Sequence, residues 1–483
     1  MWKKWVPVLA LLALCAGTGT PKDAKSVVDD VSKAIGAAGV NTIQYSASGI
    51  YSQFGQSYLP NGPYPRFYVK YSRVIDYGKD ISREELVRSQ YENPPRGGGG
   101  QPLYTDARSA SVSTDNSPWG GGAVALTPYG WVKAAMASDP TMKSMKVKGK
   151  QMTVISFTVK DKYKVNGYVN SDNLLEKVET WMPNPILGDT LIETNYSDYK
   201  DFGGVKFPMK ILQKDGVFPV LDITVSEVQP NAPVNIEAPR AGQMTTHVES
   251  QKIADGVWYL EGTPDPNSMA VEFKDYVVII ESSVTEARAL ANMAEVKRLV
   301  PGKPIRYHIN SHHHSDHAAG LRAFVVEGST IITNEMNKSF YEKMVLKNPH
   351  TLEPDLLSQH PTPAKFIWVK DKYVLTDGDR SLEIYSVPGA GHTANLLMSY
   401  LPKEKILFIT DIFNQFGMPR PNDPPPGIVS PYYAALGDIL KRWNLDVQQI
   451  APSHGKAVVS ADLLKKALVG VVKAPEVKPP SGN

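Results

Sequence analysis

Between Ile43 and about Val228, apolar and polar positions alternate in short runs, the period of half-buried strands. Tyr45–Gly49, Arg66–Tyr71, Thr153–Val159, Tyr163–Val169 and Leu221–Val225 are the clearest, each alternating or rich in β-branched and aromatic residues. Twice the period becomes helical. Lys22–Ala38 sets Val27, Val28, Val31 and Ile35 on one face, and a second helix runs from Pro128 to about Ala137 behind the capping residue Thr127. Long Gly/Pro-rich loops, Pro94–Gly100 and Pro118–Gly122, separate the runs. Residues 22–228 are therefore expected to form a mainly β N-terminal domain.

A Pro/Asn-rich stretch from Gln229 to Pro239 marks a linker, residues 229–245, and the rhythm then changes. Gly256–Leu260 and Ser268–Phe273 read as short strands, and Tyr276–Ile280 as the unbroken apolar run of a strand covered on both faces. Glu286–Leu299 predicts a helix, Pro304–Ile309 a strand and Ala318–Val326 a helix, and the alternation continues to residue 472. This pattern predicts a layered α/β domain over residues 246–472. Residues 473–483, with three prolines, read as a disordered tail.

A length of 483 residues suits two domains. The composition, 42% hydrophobic and 21% charged, is that of a soluble globular protein. A net charge of +3 without any Lys/Arg block excludes the concentrated basic surface of a nucleic-acid binder. Lys3 and Lys4 precede an apolar run, Val6–Ala16, that is too short to span a bilayer and gives way to small and polar residues. Residues 1–20 thus read as a secretory signal peptide, and the mature chain is expected to be periplasmic or extracellular with no transmembrane span. Cys15 stands near the end of the run, where a lipoprotein carries its lipidated cysteine, so a lipid anchor at Cys15 is a further expectation. It is the only cysteine, which leaves neither a disulfide framework nor a thiolate metal ligand.

The chemistry concentrates in His312-His313-His314-Ser315-Asp316-His317. The hexad falls between a strand, Ile305–Ile309, and a predicted helix, at the strand edge where α/β folds build their sites. In extended chain, residues two apart face the same way, so His312 and His314 can meet one metal while His313 points elsewhere. Asp316 and His317, at the turn into the helix, can aim at a second ion. Histidines are scarce, 10 in the whole chain, and few further ligands are available. His392, Asp411 and His454 each stand just past a predicted strand, in the same structural situation. Imidazole and carboxylate donors suit zinc, and two ions sharing a hydroxide would generate a nucleophile near neutral pH.

His312-x-His314-x-Asp316-His317, Gly391-His392-Thr393, Ile409-Thr410-Asp411 and Pro452-Ser453-His454-Gly455, in this order and at these gaps, resemble the metallo-β-lactamase fold superfamily over about residues 247–465. The resemblance implies an αββα sandwich with a dinuclear zinc site at one edge. His312, His314 and His392 would hold the first ion, Asp316, His317 and His454 the second, and Asp411 would bridge them. The implied activity is hydrolysis of an ester, thioester, lactone or amide carbonyl in a small-molecule substrate, with Asp316 as the catalytic residue that orients the attacking hydroxide. Glu281 stands where many members carry Asp, and Ser311 where Thr is common. The absence of a cysteine ligand excludes the cysteine-containing β-lactamase subclass, and Asp411 looks more like glyoxalase II and the lactonases. His314 is not the Glu of flavodiiron relatives. The Pro-rich stretch Asn414–Tyr433, with Phe416, Arg420, Tyr432 and Tyr433, is rooted at a ligand and is expected to line the pocket.

Two other functions remain open at this level. One is a mono-iron oxidoreductase resembling the persulfide dioxygenases of the same fold. The other makes the N-terminal region a lipid or lipoprotein binder and the metal domain an accessory, because several of its strands, with the helix, resemble the half-barrel of lipoprotein-sorting and lipoprotein-carrier proteins. No His or Cys lies between residues 16 and 246, so that region shows no metal or thiol chemistry of its own.

Overall fold

The computed structural model describes residues 23–114, 124–238, 246–263, 265–414, 421, 423–425 and 427–468. The expected signal segment with Cys15, the Pro118–Gly122 loop, the end of the linker, Phe416 and Arg420, and the tail 473–483 lie outside the described residues. Among the described residues no helix is long and apolar enough to cross a membrane.

The alternating pattern of the first half folds into one antiparallel sheet of eleven strands. They are β1 (Thr42–Ser52), β2 (Arg66–Asp76), β3 (Ile81–Gln90), β4 (Ala107–Ser113), β5 (Thr141–Val147), β6 (Lys150–Val159), β7 (Tyr163–Val169), β8 (Leu175–Asn184), β9 (Gly188–Asp201), β10 (Lys206–Asp215) and β11 (Phe218–Pro230). The order is β4-β3-β2-β1-β11-β10-β9-β8-β7-β6-β5, so the first strand pairs with the last and the sheet's edges are β4 and β5. Ile43, Tyr45 and Ala47 of β1 alternate inward with Phe67, Val69 and Tyr71 of β2. Two helices fill the same core. In α1 (Ala24–Ile35), capped by Asp23, the buried residues include Val27, Val28, Val31 and Ile35. In α2 (Pro128–Met136), capped by Thr127, Tyr129 and Trp131 are fully buried.

The second half is an α/β sandwich. One sheet has seven strands in chain order: β12 (His247–Ala254), β13 (Val257–Thr263), β14 (Ser268–Glu272), β15 (Val277–Ile280), β16 (Ile305–Ile309), β17 (Thr330–Asn334) and β18 (Lys365–Val369). The other has six: β19 (Lys372–Thr376), β20 (Ser381–Gly389), β21 (Thr393–Leu401), β22 (Ile406–Ile409), β23 (Gln449–Pro452) and β24 (Val459–Ser460). Val278 and Ile280 face Leu382, Ile384, Leu397 and Phe408 across the inter-sheet core. Val277 and Ile279 face the opposite way, onto Ala289, Met293 and Val296 of α3 (Glu286–Leu299). A strand buried on both faces has no polar positions, which is why β15 reads as an apolar run. On the outside of the six-stranded sheet, Leu436 and Ile439 of one helix (Pro431–Arg442) and Leu464 of another (Asp462–Leu468) cover Met398 and Leu407.

One boundary differs from expectation. The helix after the hexad was expected from Ala318 to Val326; instead α4 spans Ser315–Ala318 and α5 spans Leu321–Val326. Gly320 separates them: its N–H donates to the Ser283 carbonyl (3.2 Å) instead of back along the helix, at an approach that leaves no room for a side chain. Asp316 and His317 therefore lie inside the first helical turn, and His314 is its extended N-cap residue.

Candidate metal centre

Every expected ligand sits at the carboxyl end of a strand or in the turn beyond it. The hexad follows β16, Asp411 follows β22, His454 follows β23, and His392 occupies the turn between β20 and β21. The fold brings these seven side chains into two adjoining groups. His312, His314 and His392 offer donor atoms that lie within 4.8 Å of one another, and so do Asp316, His317, Asp411 and His454. Asp411 reaches both groups. Its Oδ1 is 3.1 Å from His392 Nε2 and 3.4 Å from His454 Nε2, and its Oδ2 is 2.9 Å from His317 Nε2 and 3.6 Å from His312 Nε2.

The hydrogen bonds behind the rings decide which nitrogen is bare. Ser311 Oγ donates to Glu281 Oε2 (2.8 Å), so it accepts from His312 Nδ1 (2.9 Å), and Nε2 carries no proton. His314 Nε2 donates to the Ser57 carbonyl at 2.8 Å, which leaves Nδ1 bare. His317 Nδ1 lies 3.0 Å from Glu281 Oε2, and His454 Nδ1 is paired with the Asp265 carboxylate. His312 Nε2, His314 Nδ1 and His392 Nε2 are buried and make no hydrogen bond. Three buried imidazole nitrogens without a hydrogen bond, gathered at one place, are what a cation site requires and what a packed core avoids. Glu281 supports two of the rings at once, from a backbone held at φ 86°, a left-handed conformation that non-glycine residues adopt only under constraint.

Electrostatics divide the groups. Burial holds the His312 and His314 pKa values well below the usual histidine range, assisted by neighbouring imidazoles, so both rings are neutral, the form that can ligate a metal. Burial opposes charge on His317 and His454 too. There the carboxylates win: Asp411, Asp316 and Glu281 raise His317 well above its ordinary value, and Asp411 and Asp265 push His454 up to about 10. Asp411 and Asp316 are themselves held well below the carboxylate range, against burial, by these histidines. A field that keeps protons on two buried imidazoles would equally hold a divalent cation.

Comparison with known proteins agrees with this geometry. Residues 262–454 match the family model of the metallo-beta-lactamase superfamily. That segment is a metallo-beta-lactamase superfamily domain. Among curated relatives, an uncharacterized protein of Methanocaldococcus jannaschii is 27% identical over 176 residues, 33% of this chain and 41% of that protein. The alkyl/aryl-sulfatase BDS1 of Saccharomyces cerevisiae is 30% identical over 103 residues, 21% of this chain and 16% of the relative. The chain thus spans less than half the length of these curated relatives. Among solved structures, a metallo-beta-lactamase from Pontibacter korlensis is 20% identical, with 46% of this chain and 97% of that one covered at a TM-score of 0.35. One from Hirschia baltica is 23% identical, with 46% and 95% covered at a TM-score of 0.34.

The N-terminal sheet roofs the site of the metallo-beta-lactamase domain. The cavity over the ligands, about 400 Å³, is lined by Asp316, His392, Asp411 and His454 from below and by Gln53, Gln56, Arg88 and Gly98–Gly100 from above. Gln56 Nε2 donates to Asp316 Oδ1 at 2.8 Å. Backbone bonds tie the halves together, from Ser315 N to the Gly55 carbonyl (3.0 Å), Gly97 N to the Gly391 carbonyl (2.8 Å) and Ala394 N to the Tyr58 carbonyl (2.9 Å). At Gly98 any side chain would overlap the Gln56 amide and come within 2.7 Å of His392 Cε1 and 2.9 Å of His314 Cε1. The N-terminal region brings no metal or thiol group here; what it sets over the cavity is a backbone carbonyl, an amide and a guanidinium, none of which a search for His and Cys can find. Of the Pro-rich stretch, Asn414 and Tyr432 line the cavity. His313 turns away from both groups, with Nε2 2.9 Å from the Ser57 carbonyl, and its ring lies at 90° to that of His312.

Proposed function

We propose that the protein is an exported hydrolase that uses two zinc ions to activate water against an ester, thioester, lactone or amide carbonyl. The observation that carries this reading is the pair of donor groups that Asp411 faces, one of which gathers the buried nitrogens of His312, His314 and His392 without a hydrogen bond. His312, His314 and His392 would hold one ion, Asp316, His317 and His454 the other, with Asp411 between them. When bound, the ions would lower the pKa of a water molecule and polarise the carbonyl under attack. The protein's own groups supply the order around that event. Gln56 fixes Asp316 through Oδ1, while Oδ2 faces His317 Nε2 (3.4 Å) and His454 Nε2 (3.7 Å). Ser311, Glu281, Asp265 and the Ser57 carbonyl fix the rings. The roof of Gln53, Gln56 and the glycine loop narrows the access of bulk water to the cavity.

Metal content by mass spectrometry, coupled to a panel of β-lactam, lactone, thioester and phosphodiester substrates, tests the proposal. An alkyl sulfate belongs on the panel because one partial relative is named an alkyl/aryl-sulfatase. Two zinc ions per chain with hydrolysis of a carbonyl substrate is the expected result. One tightly held iron, lost together with activity, and no hydrolysis would overturn it in favour of the mono-iron oxidoreductase.

A further inference from the structure

Strands β2 and β3 carry four arginines. Three have carboxylate partners: Arg66 lies 3.0 Å from Glu92, Arg73 3.3 Å from Glu84 and Arg83 3.2 Å from Glu85. Arg88 has none among the described residues, yet it is the one that lines the cavity with Asp316, His392, Asp411 and His454. Its guanidinium is held in place by neutral groups. Nη1 donates to Gln53 Oε1 (3.0 Å) and to the Gly99 carbonyl (3.1 Å), and the plane packs over the rings of Phe67 and Tyr51 at 5.1 and 5.9 Å. Nε is buried without a hydrogen bond. Arg88 also lines an adjoining cavity with Glu84 and Asp215; Glu84 is occupied by Arg73 and Tyr71, and Asp215 lies in that cavity without an ion pair to Arg88.

A desolvated cation with unspent donors is an unfavourable thing to build unless an anion arrives to meet it. A planar guanidinium fixed in orientation is suited to a carboxylate, phosphate or sulfate oxyanion. We propose that Arg88 is the receptor for an oxyanion carried by the substrate at a distance from the bond broken over the metal ligands. The substrate is then an anionic small molecule, and the N-terminal sheet selects it by charge. This inference rests on the hydrolase reading for the word substrate; the anion subsite itself does not depend on which reaction follows.

The test pairs charge with a neutral isostere. Aryl monoesters of dicarboxylic acids with four to eight carbons are compared with the same esters capped by methyl at the distal carboxylate. Wild-type protein is expected to favour the anionic member through KM by about 10- to 100-fold, the range of a charge-assisted hydrogen bond. Arg88→Gln should abolish the preference while leaving kcat/KM for the capped ester within about twofold and the metal content unchanged. Arg88→Lys should restore part of it. Equal losses on both members in Arg88→Gln would show a structural role and overturn the proposal, as would a wild-type protein indifferent to charge. If no ester is cleaved the hydrolase reading fails separately. The subsite is then read by calorimetry of the metal-loaded protein with dicarboxylates against their half-methyl esters, and a preference that survives Arg88→Gln overturns it.

Discussion

Replacing Gly98 by alanine adds one methyl group at the point where the two halves of the molecule meet over the metal ligands. The new carbon would overlap the Gln56 amide and stand 2.7 Å from His392 Cε1 and 2.9 Å from His314 Cε1. Carbon atoms in contact prefer roughly 3.5–4.0 Å, so each ring must retreat by about 1 Å or the loop must lift. The His314 ring cannot retreat freely, since Nε2 is bonded behind it to the Ser57 carbonyl, and Gly97 N anchors the loop to Gly391. Overpacking of this kind costs about 1–3 kcal/mol. Because the rings belong to the His312–His314–His392 group, that strain should fall on the first ion, weakening its affinity by about 5- to 150-fold at ~1.4 kcal/mol per tenfold. The assay is competition with a chromophoric chelator, with occupancy counted by mass spectrometry. Gln56→Ala combined with Gly98→Ala relieves the amide overlap alone, so the double variant should recover only a minor part of the loss. A Gly98→Ala protein whose first-site affinity equals wild type would refute the placement of the glycine loop on the ligands.

Three further outcomes are expected. Asp411→Ala removes the side chain that faces both groups and should strip or weaken the second ion while the first remains; full occupancy of both sites would refute the bridging role. His313→Ala should keep two metals per chain and lose at least about 1 kcal/mol of unfolding free energy in a denaturant titration, because it gives up the bonds to Ser57 and the buried packing against Phe340. Burial raises the Asp215 carboxyl to about 6, with Oδ1 lacking a hydrogen bond, so the unfolded chain ionises first as pH rises. Stability should therefore fall between about pH 4 and 6 and stay lower above. Asp215→Asn should gain up to about 3 kcal/mol at pH 8 and nothing at pH 3.5, and equal stability of the two proteins at pH 8 would sink the argument.

The metal half was legible in the sequence for physical reasons. β15 and β22 are covered on both faces and so appear as uninterrupted apolar runs, and each run ends beside a group the site uses. Histidine is scarce, so His392 and His454 stood out as soon as the hexad was noticed. Glu281, which stands at the end of β15 where many members carry an Asp supporting the ligand loop, bonds both His317 and Ser311. The roof was not legible. Ser57 acts through its backbone carbonyl, which any residue could supply, and Gln56 bonds Asp316 across 260 positions of sequence. The four glycines from Gly97 to Gly100 were visible only as a loop; what they approach depends on a docking that local periodicity does not encode. The same holds for Arg88, whose lack of a carboxylate partner exists only in three dimensions. At the split of the expected helix, Gly320 N bonds the Ser283 carbonyl, a neighbour supplied by another strand connection.

The pairing of β1 with β11 sets an order of events during synthesis. Ile43 lies opposite Pro230 and Tyr51 opposite Leu221, so the N-terminal sheet cannot close until the chain has been made to residue 230. The first strand of the metal-ligand domain begins soon afterwards, at His247. A chain emerging from its N-terminus can therefore complete the roof before a single metal ligand exists. The Ser57 carbonyl that His314 bonds belongs to that earlier-made half, so the acceptor is synthesised long before the ring that uses it.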